Sequence, residues 1–254
     1  MNFNYTANPA PGVMILQPKR DNAGPTLAFT EQLIQHDRIG GPLTQLQTSF
    51  ATIAETLAQR ASDWSDDGFS KEARRLVDDK LRAPFRLTVE ATHAARRDHD
   101  AEWANLHTPR FSDDSDPAVR AEQRTWWRGL STPARLDAAN ADPALAAAIV
   151  EGGFGMAALP RDVFDRLTRT MGEAQLAERI ARDANLRTPA TPDDPIAGEP
   201  DREAALKEAA GRFDRMEAER GLLGTVSPLL ATVIAAVGLL TGETRPQAFE
   251  RLSA

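Results

Sequence analysis

The stretch Leu43-Thr44-Gln45-Leu46-Gln47-Thr48-Ser49-Phe50-Ala51-Thr52-Ile53-Ala54-Glu55-Thr56-Leu57 decides the fold. Leu43, Leu46, Phe50, Ile53 and Leu57 recur at intervals of 3, 4, 3 and 4, and Trp64 follows seven residues later. A helix turns once every 3.6 residues, so this spacing gathers the apolar side chains into one narrow seam on a single face. Two heptads fall short of a sustained coiled coil, which predicts a helical hairpin packed within the chain. The same seam is also what a partner helix would take, so Leu43, Leu46, Phe50, Ile53 and Leu57 are candidate self-association residues.

Composition extends the helical reading to the whole chain. Of 254 residues 43 are Ala, against 17 Val and Ile together. Ala loses no side-chain entropy in a helix, whereas the β-branched residues that pack well on a pleated sheet are scarce. The fold expected is mainly α. With no Cys there are no disulfides, thiolate metal sites or thiol nucleophiles. The balance of 30 Lys and Arg against 37 Asp and Glu, a net charge of -7, offers no field for phosphate backbones, so no nucleic-acid partner is expected. The first residues, Met1-Asn2-Phe3-Asn4-Tyr5, lack the basic start and apolar core of a secretory leader.

Five segments follow along the chain. Residues 1–25 hold Pro9, Pro11, Pro18 and Pro25 around the short run Val13-Met14-Ile15-Leu16 and read as an extended arm, pinned by Ile15 and Leu16 or added as a strand to a neighbour. Residues 26–110 read as a helical hairpin or bundle, helical from Thr26, turning at Gly40-Gly41-Pro42, broken at Ser65-Asp66-Asp67-Gly68, and kinked or divided near Pro84. Residues 111–187 read as a cluster of small helices. Ser112-Asp113-Asp114-Ser115-Asp116-Pro117 supplies its entry, and Leu130, Leu136, Leu145, Ile149, Val150, Phe154, Leu159, Phe164, Leu167, Leu176 and Ile180 its core. Residues 188–200 read as a Pro-rich linker. Residues 201–254 read as a charged helix, then the charge-free run Gly221–Gly242, then a short amphipathic piece.

That apolar run is long enough to cross a bilayer at 1.5 Å per residue, but Gly224, Pro228, Gly238 and several hydroxyl residues dilute it and no aromatic or Lys anchors flank it. It reads as a helix buried in an oligomer through Leu229, Leu230, Val233, Ile234 and Val237, with membrane insertion of 221–242 as the alternative. The second candidate contact is Trp126-Trp127 between Arg124 and Arg128. Adjacent helical residues diverge by 100°, so one Trp enters the core while the other faces a neighbour or solvent, and Trp with Arg is the composition of recognition hot spots.

Three motifs invite chemistry and fail on their own terms. Asp63, Ser65, Asp67 and Gly68 match the first half of a calcium loop, but Arg74 stands where the closing carboxylate belongs, leaving a helix end and a cap. Glu90-x-x-His93 is half of a carboxylate-bridged di-iron site whose second copy is missing. Gly153-Phe154-Gly155-Met156-Ala157-Ala158 has the letters of a dinucleotide fingerprint, yet an alanine-rich helical stretch precedes it and Leu159-Pro160 follows, so it reads as a helix stop. No catalytic residue, metal site or cofactor is expected.

Asp67-Gly68-Phe69-Ser70-Lys71-Glu72-Ala73, Trp127-Arg128-Gly129-Leu130-Ser131-Thr132-Pro133-Ala134-Arg135-Leu136-Asp137-Ala138-Ala139 and Asp142-Pro143-Ala144-Leu145-Ala146-Ala147-Ala148-Ile149-Val150 together resemble uncharacterised helical proteins of the structural gene clusters of tailed bacteriophages and prophages. The resemblance implies a context and no site residues: a non-enzymatic virion structural or assembly protein, in the virion or in the host cytoplasm during assembly, whose partners are other copies of itself and other particle proteins.

Overall fold

The computed structural model describes residues 3–7, 11–18, 24–60, 63–111, 115–183, 198 and 201–254. The 188–200 linker, Gly198 apart, and Ser112, Asp113 and Asp114 of the helix entry lie outside the described residues. Among those described are one small sheet, β1 (Phe3–Ala7), β2 (Val13–Pro18) and β3 (Thr26–Ala28), and eleven helices. These are α1 (Glu31–Ile34), α2 (Gly40–Gln59), α3 (Asp66–Lys80), α4 (Arg82–His107), α5 (Pro117–Arg128), α6 (Thr132–Ala141), α7 (Pro143–Gly152), α8 (Phe154–Ala157), α9 (Arg161–Asp183), α10 (Arg202–Thr241) and α11 (Arg245–Ser253). The protein is mainly α, with a C-terminal apolar helix, as its composition dictates.

The chain divides into two compact units. Met1–Asp98 and Glu219–Ala254 form the first, and His99–Ala218 the second. Neither follows the serial segments read from the sequence, because α4 and α10 each supply residues to both.

In the first unit the N-terminal segment is extended, but it folds onto itself. β2 lies between β1 and β3, antiparallel to both, so each of its edges already has a partner from the same chain. Residues alternate faces along a strand, and Met14 and Leu16 are buried while Val13 and Ile15 are half-buried. Leu16 is thus a pin as expected, and Met14 takes the role assigned to Ile15. Gly12 has φ +74°, and a Cβ there would lie 2.0 Å from the carbonyl oxygen of Phe29, so the turn into β2 admits only glycine. Thr26–Ala28, expected to begin a helix, is the strand that completes this sheet. Leu27 points inward from it, and the helical pattern starts only after Thr30 caps α1 by accepting from the Leu33 amide.

The seam on α2 is the centre of the first unit's core. Leu43, Leu46, Phe50, Ile53 and Leu57 are all fully buried, within one cluster that includes Leu16 of β2, Phe69, Ala73, Leu76 and Val77 of α3, and Leu223, Val226, Leu229, Val233 and Val237 of α10. Each such Leu or Phe contributes roughly 1.5–3 kcal/mol by leaving water. The break before α3 is a cap, with the Ser65 hydroxyl accepting from the Gly68 amide. At Pro84 the chain divides into two consecutive helices, α3 ending at Lys80 and α4 starting at Arg82, with the proline in the first turn of α4 where its missing donor costs no helical bond.

An ionic cluster docks the C-terminal helix α11. Thr244 and Gln247 form a reciprocal capping box, and Ala248 and Leu252 are buried. Arg251 donates to both carboxylate oxygens of Glu243 and, at 2.8 Å, to Asp78 of α3. Arg74 donates to the carbonyl of Thr241, and Arg82 to that of Arg251. The hydrogen bonds from Arg251 hold the Glu243 carboxyl below the ordinary carboxylate range.

In the second unit α7 carries the continuous buried run Leu145, Ala146, Ala147, Ala148 and Ile149. A second cluster sets Phe213 and Met216 of α10 against Leu106 of α4 and Leu176 of α9.

Candidate interaction surface

The aromatic and cationic knot is built on α5. Asp116 caps this helix by accepting from the Ala118 amide, and Pro117 occupies its first position. Trp127 is the one fully buried side chain of α5; its indole N–H donates to the Ala157 carbonyl at 2.7 Å, which ties α5 to the short turn α8. Trp126, rotated by 100°, is 54% exposed, and Val119, two turns earlier on the same flank, is 50% exposed. The division of the Trp pair between core and surface is therefore as expected.

On the other flank Arg120, Arg124 and Arg128 follow at four-residue intervals. Arg120 and Arg124 both donate to the Glu151 carboxylate of α7, and these hydrogen bonds, first that from Arg120, lower the pKa of Glu151. Arg128 reaches the Met156 sulfur at 2.9 Å. Arg135 of α6 closes the arrangement by donating to the carbonyls of Trp127, Arg128 and Ala158 at 3.1, 2.9 and 2.8 Å. Carbonyls at the C-terminal end of α5 thus face a cation, as the helix dipole favours.

The glycines at 153 and 155 bend the chain rather than hold a dinucleotide. Gly153 has φ +79° and ends α7; five residues later Ala158 has φ +51° and ends α8. Between these reversals Ala157 turns inward, while Phe154 and Met156 are each 41% exposed. Phe154, expected in the core, lies at the surface for this reason. It stacks edge-on against Phe164 at 5.6 Å, with the Arg161 guanidinium 5.1 Å from its ring. Sequence reasoning missed Phe154 and Met156 as surface groups. The signal that could have found them is the pair of flanking glycines.

The other expected contact residues are placed elsewhere. Leu43, Leu46, Phe50, Ile53 and Leu57 are interior to the first unit and present no face to another chain. In the apolar run, Leu229, Val233 and Val237 are buried, and Leu230 and Ile234 are half-buried against the same core. The run sorts by size: the exposed positions are Gly221, Gly224, Thr225, Ser227, Pro228, Ala231 and Gly242. Gly221 and Pro228 do not interrupt the helix, which is continuous over forty residues. By length and composition α10 can cross a membrane, with a mean hydropathy of 2.0 over its most apolar eighteen residues, of which 39% are buried in this fold.

Among the described residues no group of three or more His, Asp or Glu is placed to hold a metal ion. A cavity of about 560 Å³ lies between α9 and α10, floored by Ala174, Ala177 and Ala181 and rimmed by Glu178, Arg182 and Arg202. Of the residues that match the first half of a calcium loop, Ser65 caps α3 and Asp67 pairs with Lys71; Arg74, at the closing position, bonds to the Thr241 carbonyl and faces Glu243 at 3.3 Å.

Compared with protein-family models, with curated proteins and with solved structures, the chain matches none.

Proposed function

We propose that this chain is a non-enzymatic structural or assembly protein, of the kind built into bacteriophage-type particles, and that it works by holding other protein chains. The observation that carries the reading is Trp126: a large side chain, more than half exposed, on a helix fixed at the adjacent residue by a fully buried Trp. An exposed aromatic on a rigid support loses little entropy on binding, and Trp with Arg leads the side chains that dominate protein contacts. Val119 extends the apolar flank.

The test is recovery of the chain from density-gradient fractions of the source strain, followed by antibody. The reading expects it in the particle fraction, with recovery reduced several-fold by Trp126→Ser. Recovery only as free protein, unchanged by the substitution, refutes it.

A second reading, insertion of residues 221–242 into a membrane, is supported by the hydropathy of α10. Insertion would require withdrawing Leu223, Val226, Val233 and Val237 from the core. Flotation of the full chain with anionic liposomes, abolished by Ala231→Asp on the exposed side, would favour that reading over the first.

A further inference from the structure

With five Met and no Cys, every sulfur atom of the chain is a thioether. Met1 lies outside the described residues. Met14, Met171 and Met216 are 2%, 3% and 5% exposed, whereas Met156 is 41% exposed. The turn geometry makes the difference. Positive φ at Gly153 and Ala158 brackets a helix of four residues, which sends Ala157 inward and Met156 outward. A two-electron oxidant reaches a thioether through a sulfur lone pair, so conversion to the sulfoxide follows exposure. No thiol competes for the oxidant, and Met156 presents the accessible sulfur of the described residues.

The surroundings of this sulfur suit the sulfoxide better than the thioether. Arg120 and Arg124 donate to Glu151, but Arg128, one turn further along α5, has the Met156 sulfur as the one acceptor that its side chain meets among the described residues. A thioether is a weak acceptor, and a guanidinium carries five donors. The backbone from which Arg128 springs is itself held, since Arg135 donates to the carbonyls of Trp127 and Arg128. Oxidation gives the side chain an oxygen acceptor. In a core that change is costly, because the new polar group loses water without replacement. Beside an exposed guanidinium the oxygen instead accepts a charge-assisted hydrogen bond.

We propose that Met156 is a modification site for hydroperoxides, converted ahead of the other described methionines and held as the sulfoxide by the Arg128 guanidinium. A lone pair on Met156 Sδ attacks the terminal oxygen of the hydroperoxide, and the sulfur–oxygen bond forms as the oxygen–oxygen bond breaks. The proton of the transferred oxygen passes to the departing one, which leaves as an alcohol, or as water when the oxidant is hydrogen peroxide. Sulfur gives up two electrons and the peroxide takes them, so no further reactant is needed. The new hydrogen bond ties the α8 turn to the C-terminal end of α5. Trp126 leaves α5 about 160° away from Arg128, so this site and the Trp126 contact stand or fall separately.

The experiment treats the full chain with hydrogen peroxide in stepped amounts and follows each methionine by peptide mass mapping, Met1 on its own peptide. Met156 is expected to convert at least about tenfold faster than Met14, Met171 and Met216. At the dose that spares those three, thermal unfolding is compared before and after treatment in the wild type, Arg128→Ala and Met156→Leu. The shift on treatment, less that of Met156→Leu, is expected to be about 2 °C more favourable in the wild type than in Arg128→Ala, the scale of one hydrogen bond to a charged group. Conversion of Met156 no faster than that of the other three overturns the proposal. So does an equal shift with and without Arg128.

Discussion

Leu46→Ala tests whether the seam belongs to the interior of one chain or to a contact between chains. Leu46 is fully buried, between Leu43 and Phe50 on α2. Truncation to Ala removes three carbon groups, about 2.4 kcal/mol of transfer energy at about 0.8 kcal/mol each, and leaves a cavity that the surroundings fill only in part. The expected loss is about 3 kcal/mol. With a urea dependence of about 2 kcal/mol per molar, the midpoint falls by about 1.5 M without a change in slope. Far-ultraviolet circular dichroism follows the transition in both units, whereas Trp103, Trp126 and Trp127 all belong to the second, so fluorescence is weighted towards that unit. The loss should therefore be clear in the helical signal and small in the fluorescence. Thr48→Ala, two residues on and exposed, should shift the midpoint by no more than about 0.5 kcal/mol. If Leu46→Ala leaves the urea midpoint in place and instead lowers the mass of the particle in solution, the assignment of the seam to the core is refuted.

Two further substitutions bear on the remaining contacts. Trp127→Phe strands the Ala157 carbonyl and empties part of a buried site, for an expected loss of about 3 kcal/mol by thermal or urea unfolding, while the exposed Trp126→Phe stays within about 0.5 kcal/mol; equal effects would contradict the burial of one and the exposure of the other. Glu243→Gln should lower the melting temperature at neutral pH and matter less as the solution is acidified. Arg251 holds the folded carboxyl below its ordinary range, so the unfolded chain takes up the proton first. The stabilisation is complete above the ordinary glutamate range and is lost as pH falls through the lowered value. A Glu243→Gln deficit that persisted undiminished in acid would show that charge plays no part in docking α11.

Much of the helical framework was legible in order of residues alone. The 3,4,3,4 spacing from Leu43 to Leu57, the break at Ser65-Asp66-Asp67-Gly68 and the entry at Asp116-Pro117 each rest on local rules, namely periodicity, capping and the fixed φ of proline, and the structure places an element at each. That one Trp of 126 and 127 turns inward and the other outward followed from the helical angle; which of them is buried did not. Phe154 did not, because the burial of an apolar residue in a four-residue turn depends on the backbone reversals at Gly153 and Ala158, and no periodicity spans so short an element.

Periodicity specifies that an apolar face will be covered but not by what, since hydrophobic burial is non-directional. Sequence alone therefore determined a mainly helical protein with a seam on α2 and a long apolar run near its end. Tertiary structure decided that the seam and the large side chains of that run cover one another within a single unit, and that the three-stranded sheet uses the N-terminal arm. It also left the back of α2, with Glu55 as its one charge, facing solvent. These are pairings between segments far apart in the chain, settled by which surfaces fit one another in three dimensions, and nothing in the local order of residues encodes that.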